Sequence, residues 1–207
     1  MTTETSRAAS AAVPARRGRP GYDRDRVLEI AVELFNEQGY DATSVSDLAA
    51  RLGLSRSALY HHFTSKEELL AVALDTALGG LEGVLERPEA RQGSAAARLQ
   101  FVIAAAVEVL VDQLPSVTLL LRVRGNGAVE QAALARRRLF DQRVAALVAD
   151  AQREGLVRAD LDAALATRLV FGMVNSVVEW YRPDGPVDRD TLAREVLAVV
   201  LEGLRTR

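Results

Sequence analysis

The stretch "SVSDLAARLGLSRSALYHHF", Ser44–Phe63, decides how this chain is read. Its opening residues form a capping box, with Ser44 as the cap and Asp47 three positions on, and so begin a short helix. Leu48, Ala49 and Leu52 lie on one side of that helix, and Gly53 ends it. Ser55 caps a second short helix whose inward positions are Leu59 and Phe63, four residues apart. Two short helices joined by Gly53-Leu54-Ser55 form a helix-turn-helix, a layout whose second helix enters the DNA major groove. Arg56, Ser57, Ala58, Tyr60, His61 and His62 are the candidate DNA contacts on that helix. Arg56 can hold a guanine through two hydrogen bonds or grip a phosphate, and Ser57 can bond either base edge. Tyr60 and His61 offer donors to the backbone or to bases.

The same stretch holds both histidines of the chain. Being adjacent, they point about 100° apart on a helix and cannot share one metal ion as an i,i+4 pair would. With no cysteine in 207 residues and no HExxH, no metal site and no cofactor are expected. No nucleophile, metal set or paired acid and base stands out either, so no catalytic residues are assigned and the chain is read as a non-enzyme.

Working outward, Val27, Ile30, Ala31, Leu34 and Phe35 form one helical stripe, with Asp23 as its cap and Gly39 as its stop. "SKEE", Ser65–Glu68, is a second capping box that starts a long helix to about Leu85. Thr43, Ser44 and Lys66 sit near helix N-termini, where backbone N–H groups and the helix dipole attract phosphate. "ERPEARQGS", Glu86–Ser94, interrupts the periodicity. Further helices are expected over about 95–114, stopped by Pro115, and then over 116–123, 129–154, 161–181 and 187–205. No alternating strand pattern and no repeat is visible. The expectation is an all-α protein of about nine helices: a three-helix DNA-binding domain with the helix-turn-helix, then a larger C-terminal helical domain.

The formal net charge is −2, so any nucleic-acid surface must be local. The first twenty residues carry Arg7, Arg16, Arg17 and Arg19 against Glu4 alone, among Ala, Ser and Pro. They read as a flexible basic arm over 1–21, with Arg16, Arg17 and Arg19 as candidate DNA contacts. The N-terminus has no apolar core of a secretory signal, and no run of about 18 apolar residues exists, so a cytoplasmic protein with no membrane partner is expected.

Residues 22–70 resemble the N-terminal domain of the TetR family of bacterial repressors. The resemblance rests on "LFNEQGYDATS" (34–44), "SDLAARLGLS" (46–55), "ALYHHF" (58–63) and "SKEELL" (65–70). It implies domains at 22–68 for DNA binding and 69–207 for ligand binding and dimerisation. It also implies a homodimer on double-stranded DNA with a palindromic operator, a small-molecule effector, and last two helices that pair across a two-fold axis. Leu169, Gly172, Met173 and Ser176 in the penultimate helix, and Leu192, Val196, Val199 and Val200 in the last, are the interface candidates. Leu165 and Trp180 share the first of these faces, and Leu204 extends the second.

Phe101, Leu119, Leu120, Val123, Phe140, Phe171, Asn175 and Trp180 are the candidate ligand-pocket residues on the middle helices. Arg122, Arg124 and Arg182 are possible cationic partners for an acidic head group. "FGMVNSVVEWYRPDGP" (171–186) resembles the corresponding segment of TetR-family regulators of lipid and acyl-CoA catabolism, which implies an acyl-CoA or related acid as effector. An aromatic or drug-like effector, or a DNA-binding protein with no ligand, are the alternatives. The roughly 130 residues beyond the helix-turn-helix domain exceed what dimerisation alone needs.

Overall fold

Asp23 opens the first helix as expected: its side chain accepts the Arg26 N–H at 2.8 Å, and α1 runs Arg24–Gln38. Gly39 stops it at φ +90°, a conformation other residues rarely adopt. α2 (Val45–Leu52) carries the full capping box of Ser44 and Asp47, and Gly53 follows in the left-handed region. α3 (Arg56–His62) is capped by Ser55. Ser65 caps α4 (Lys66–Glu86), but Glu68 does not complete the expected capping box. Its carboxylate accepts the N–H and hydroxyl of Thr64, at 2.7 and 2.8 Å, one residue before the cap.

This computed structural model describes residues 23–204. The expected arm over 1–21, with Arg16, Arg17 and Arg19, lies outside the described residues, as does the Leu204 side chain. The other helices are α5 (Pro88–Arg91), α6 (Ala95–Asp112), α7 (Leu114–Arg122), α8 (Ala128–Arg153), α9 (Ala163–Trp180) and α10 (Arg189–Leu204). Ten helices and no strand are present among the described residues, one helix more than expected. The addition is α5, a single turn inside the segment read as a break, started by Pro88 at a position that needs no N–H. For the same reason Pro115 sits in the first turn of α7 rather than simply ending α6. The chain bends by 100° between α6 and α7.

Helix α6 is the axis of the larger body and touches α4, α5, α7, α8, α9 and α10. Leu99, Val102, Ile103, Ala106, Val107 and Leu110 are all buried along it. Its approach to α4 is close at Gly80, where a Cβ would stand 2.8 Å from the Val109 side chain. Helices α1 and α4 join the three-helix head to this body, because α7 packs on both. No single helix among the described residues is long and apolar enough to cross a membrane.

Candidate nucleic-acid interface

The periodicity of α3 sorts its side chains into rows. Leu59 and Phe63 face inward and are each 3% exposed. Arg56 and Tyr60 form one outward row and Ser57 and His61 the next, all exposed, while Ala58 and His62 are half-buried at the flank. Tyr60 is an exposed large side chain with no packing role for its outer half, as a contact residue requires. The Arg56 guanidinium donates to the Ser46 hydroxyl of α2, which orients it along the outer face. Ser46 is ten positions away and was not singled out by sequence reasoning.

Two expected phosphate contacts are revised. Thr43 is 1% exposed, and its hydroxyl donates to the Gly39 carbonyl at 2.8 Å, so it closes the α1–α2 turn instead of facing DNA. The Lys66 ammonium donates to the carbonyls of Tyr40 and Thr43, each at 2.9 Å, and lies 4.2 Å from the Tyr40 ring centre. It therefore fastens the α1–α2 turn to the start of α4. Ser44 remains exposed, with its hydroxyl bonded to the Asp47 carboxylate at 2.6 Å. That hydroxyl, with the Ser44 N–H, holds the Asp47 carboxyl below the usual aspartate value. Burial, aided by Glu67, Asp41 and Glu130, pushes the Tyr40 phenol up to about 12. Arg24, also unforeseen, bonds Glu68 at 2.9 Å and stacks 4.6 Å from the Phe63 ring centre, tying the start of α1 to α3 and α4.

The interface candidates divide. On α9, Leu165, Leu169, Gly172, Ser176 and Trp180 are exposed and Met173 is half-buried, so one continuous face stands open. A groove of about 270 Å³ runs beside it, lined by Leu165, Leu169, Met173 and Val199 among others. On α10 only Val199 is open, at 62% exposed. Leu192, Val196 and Val200 are buried within the protomer, because α10 lays that stripe against α6. These three are core residues and not interface candidates.

The pocket candidates do not converge. Leu119, Leu120, Phe140 and Phe171 are buried in the core, and the two phenylalanine rings meet edge to face at 5.4 Å. Phe101 and Asn175 are half-buried. Leu119 and Val123 line a separate cleft beside the α1–α2 turn. Trp180 is 53% exposed and belongs with the open face of α9 rather than with an interior pocket. Two of the cationic candidates are engaged: Arg122 donates to the Asn36 carbonyl at 2.5 Å and Arg182 to the Tyr181 carbonyl at 2.9 Å. Among the described residues no cluster of three or more His, Cys, Asp or Glu could hold a metal ion.

A three-helix head that presents a polar recognition helix, carried on a larger helical body, defines a DNA-binding transcriptional regulator. Residues 27–73 match the family model for bacterial regulatory proteins of the tetR family, and residues 92–204 match that for the tetracyclin repressor-like C-terminal domain. The chain belongs to the TetR family. It is 30% identical over 185 residues to the HTH-type transcriptional repressor KstR2 of Rhodococcus jostii, covering 87% of this chain and 90% of the relative. A TetR-family regulator from Streptomyces coelicolor A3 superposes with a TM-score of 0.82 at 53% identity, covering 87% of this chain and 91% of that one. The ketosteroid transcriptional regulator KstR2 of Mycobacterium tuberculosis superposes with a TM-score of 0.78 at 27% identity, covering 92% and 98%. These relatives are transcriptional regulators and not enzymes.

Proposed function

We propose that the protein is a repressor that binds an inverted-repeat operator as a homodimer and is released by an apolar or amphipathic ligand, an acyl-CoA thioester or related acid. Residues 22–68 form the DNA-reading unit, and residues 69–207 the effector and dimerisation unit. The observation that carries this reading is the division of α3, with Leu59 and Phe63 inward and Arg56, Ser57, Tyr60 and His61 outward. Arg56 reads a base, and Tyr60 and His61 bond phosphates. The open face of α9 with Val199 of α10 meets its counterpart on a second copy, which places two recognition helices for successive major grooves. Repression is supported by the KstR2 relatives, which are named as repressors. The lipid-like ligand is supported by the segment from Met173 to Pro183 and by KstR2, named a ketosteroid regulator.

The test begins with selection from random duplexes. An inverted repeat is expected among the bound sequences. The selected duplex is then followed by fluorescence anisotropy while acyl-CoAs of graded chain length, free coenzyme A and unrelated aromatic compounds are added. Release by the acyl-CoAs supports the ligand class. Release by an aromatic compound alone refutes the ligand class, and absence of any selected sequence refutes the regulator's DNA-binding assignment.

A further inference from the structure

Helix α4 runs unbroken from the head into the body, but it is not the sole link between them. The last turn of α1 has carbonyls with no partner inside the helix, and a helix C-terminus carries partial negative charge. Gly39 N–H takes the Phe35 carbonyl, and Arg122, the last residue of α7, takes the Asn36 carbonyl at 2.5 Å. The Asn36 side chain donates back to the Pro115 carbonyl in the first turn of α7, at 2.8 Å. One residue of α1 is thus gripped from both ends of α7. Beyond α7, the Asn126 amide donates to the Asp41 carboxylate in the α1–α2 turn at 3.1 Å.

The turn that carries Asn126 is itself held stiffly. Glu130, 5% exposed, accepts the N–H groups of Arg124, Gly125 and Asn126 at 2.9, 2.6 and 3.0 Å. Three converging donors leave that carboxylate no reason to move, and Gly125 at φ +88° allows the tight path. On its other side the α1–α2 turn is fixed to α4 by the two carbonyl bonds of Lys66. A cleft of about 440 Å³ lies between the two turns, so beyond the packing of α1 on α7 the turns themselves are joined by these few bonds.

From this geometry we infer that the α7–α8 turn is a clamp by which the body sets the orientation of the DNA-reading head. Arg122 and Asn126 are its positioning residues, and Glu130 is its brace. The inference rests on the regulator reading above and adds the route by which the body's state reaches the DNA. A shift of α7 pulls the α1–α2 turn, and through Lys66 the start of α4, as one unit. Without the clamp the α1–α2 turn is tied to the body only through α1 packed on α7 and Lys66 on α4, and the head is held less firmly in orientation. Each α3 still presents the same contacts, but the spacing of the two recognition helices is no longer fixed in advance, and preorganisation is what that spacing contributes to affinity.

The test uses the full chain with Arg122→Met and Asn126→Ala combined, since both side chains are exposed and neither touches the recognition helix. Amide hydrogen exchange over residues 36–43 is expected to accelerate, with protection in α6 unchanged. Affinity for the selected operator is expected to fall roughly tenfold, while affinity for random duplex holds. Discrimination against an operator lengthened by one base pair between half-sites is expected to weaken. Arg122→Lys, which keeps a cation at the end of α1, should restore most of the parent behaviour in the Asn126 background. Unchanged exchange over 36–43, or unchanged spacing discrimination, overturns the clamp. If the parent binds no operator, the regulator reading fails instead, and the exchange measurement still decides the clamp.

Discussion

Replacing Leu169 with glutamate tests the assignment of the open α9 face. Leu169 is 66% exposed, the most open of the large apolar side chains on the described residues. Burying a whole leucine side chain contributes about 1.5–3 kcal/mol. With two-thirds of it still in water, roughly 1–2 kcal/mol is left to gain in a partner's surface. A two-fold axis presents the residue twice, so the dimer loses roughly 2–4 kcal/mol. At about 1.4 kcal/mol per decade, the dimer dissociation constant rises roughly 30- to 700-fold. The figure is a floor, because a carboxylate in a dry interface adds its own desolvation cost. Within the protomer the change is nearly silent: leucine and glutamate have similar helix propensity, and the side chain already faces solvent. Sedimentation velocity over a concentration series reads the constant, and circular dichroism checks that helicity is kept. A variant that dimerises within about threefold of the parent refutes the assignment of this face.

Gly172→Leu has opposite effects on the two levels of structure. A Cβ there meets nothing within 4 Å in the protomer, so helix propensity stabilises the isolated subunit by about 0.8 kcal/mol while the dimer weakens; a variant dimer as tight as the parent counts against the interface. Lys66→Ala should lower the melting temperature through roughly 1–3 kcal/mol of lost carbonyl bonds, with the salt dependence of DNA binding unchanged. A flattened salt slope with an unchanged melting temperature would instead make Lys66 a phosphate contact. Arg56→Ala should cost roughly 1–3 kcal/mol on the selected operator and little on random duplex, by anisotropy; equal losses on both would remove its base-reading role. The Asp47 carboxyl titrates below its ordinary 3.8 in the folded protein, so it stabilises the fold above that value and the contribution is lost as pH falls through the lowered value. Asp47→Asn should therefore flatten the fall in melting temperature below about pH 4, and an unchanged slope would contradict the capping role.

Elements that depend on local chemistry were legible before any packing was known. Asp23, Ser44 and Ser55 cap helices because the bonding N–H lies three residues away, and Gly39 and Gly53 end them because few other residues take their φ values. The inward pair Leu59 and Phe63 fixes which side of α3 faces out, so Arg56, Ser57, Tyr60 and His61 were legible from spacing. What lies between distant segments was not. Lys66 could be placed at a helix N-terminus, but only the return of the α1–α2 turn over that end showed carbonyls taking its donors. The apolar stripes of α9 and α10 look alike in sequence; α6 covers Leu192, Val196 and Val200 and leaves Leu169 open. The bonds from Arg122 to Asn36 and from Asn126 to Asp41 span about 85 residues and leave no periodic trace. Periodicity records that a face is apolar or a donor is free, while which partner arrives is decided by how the helices cross.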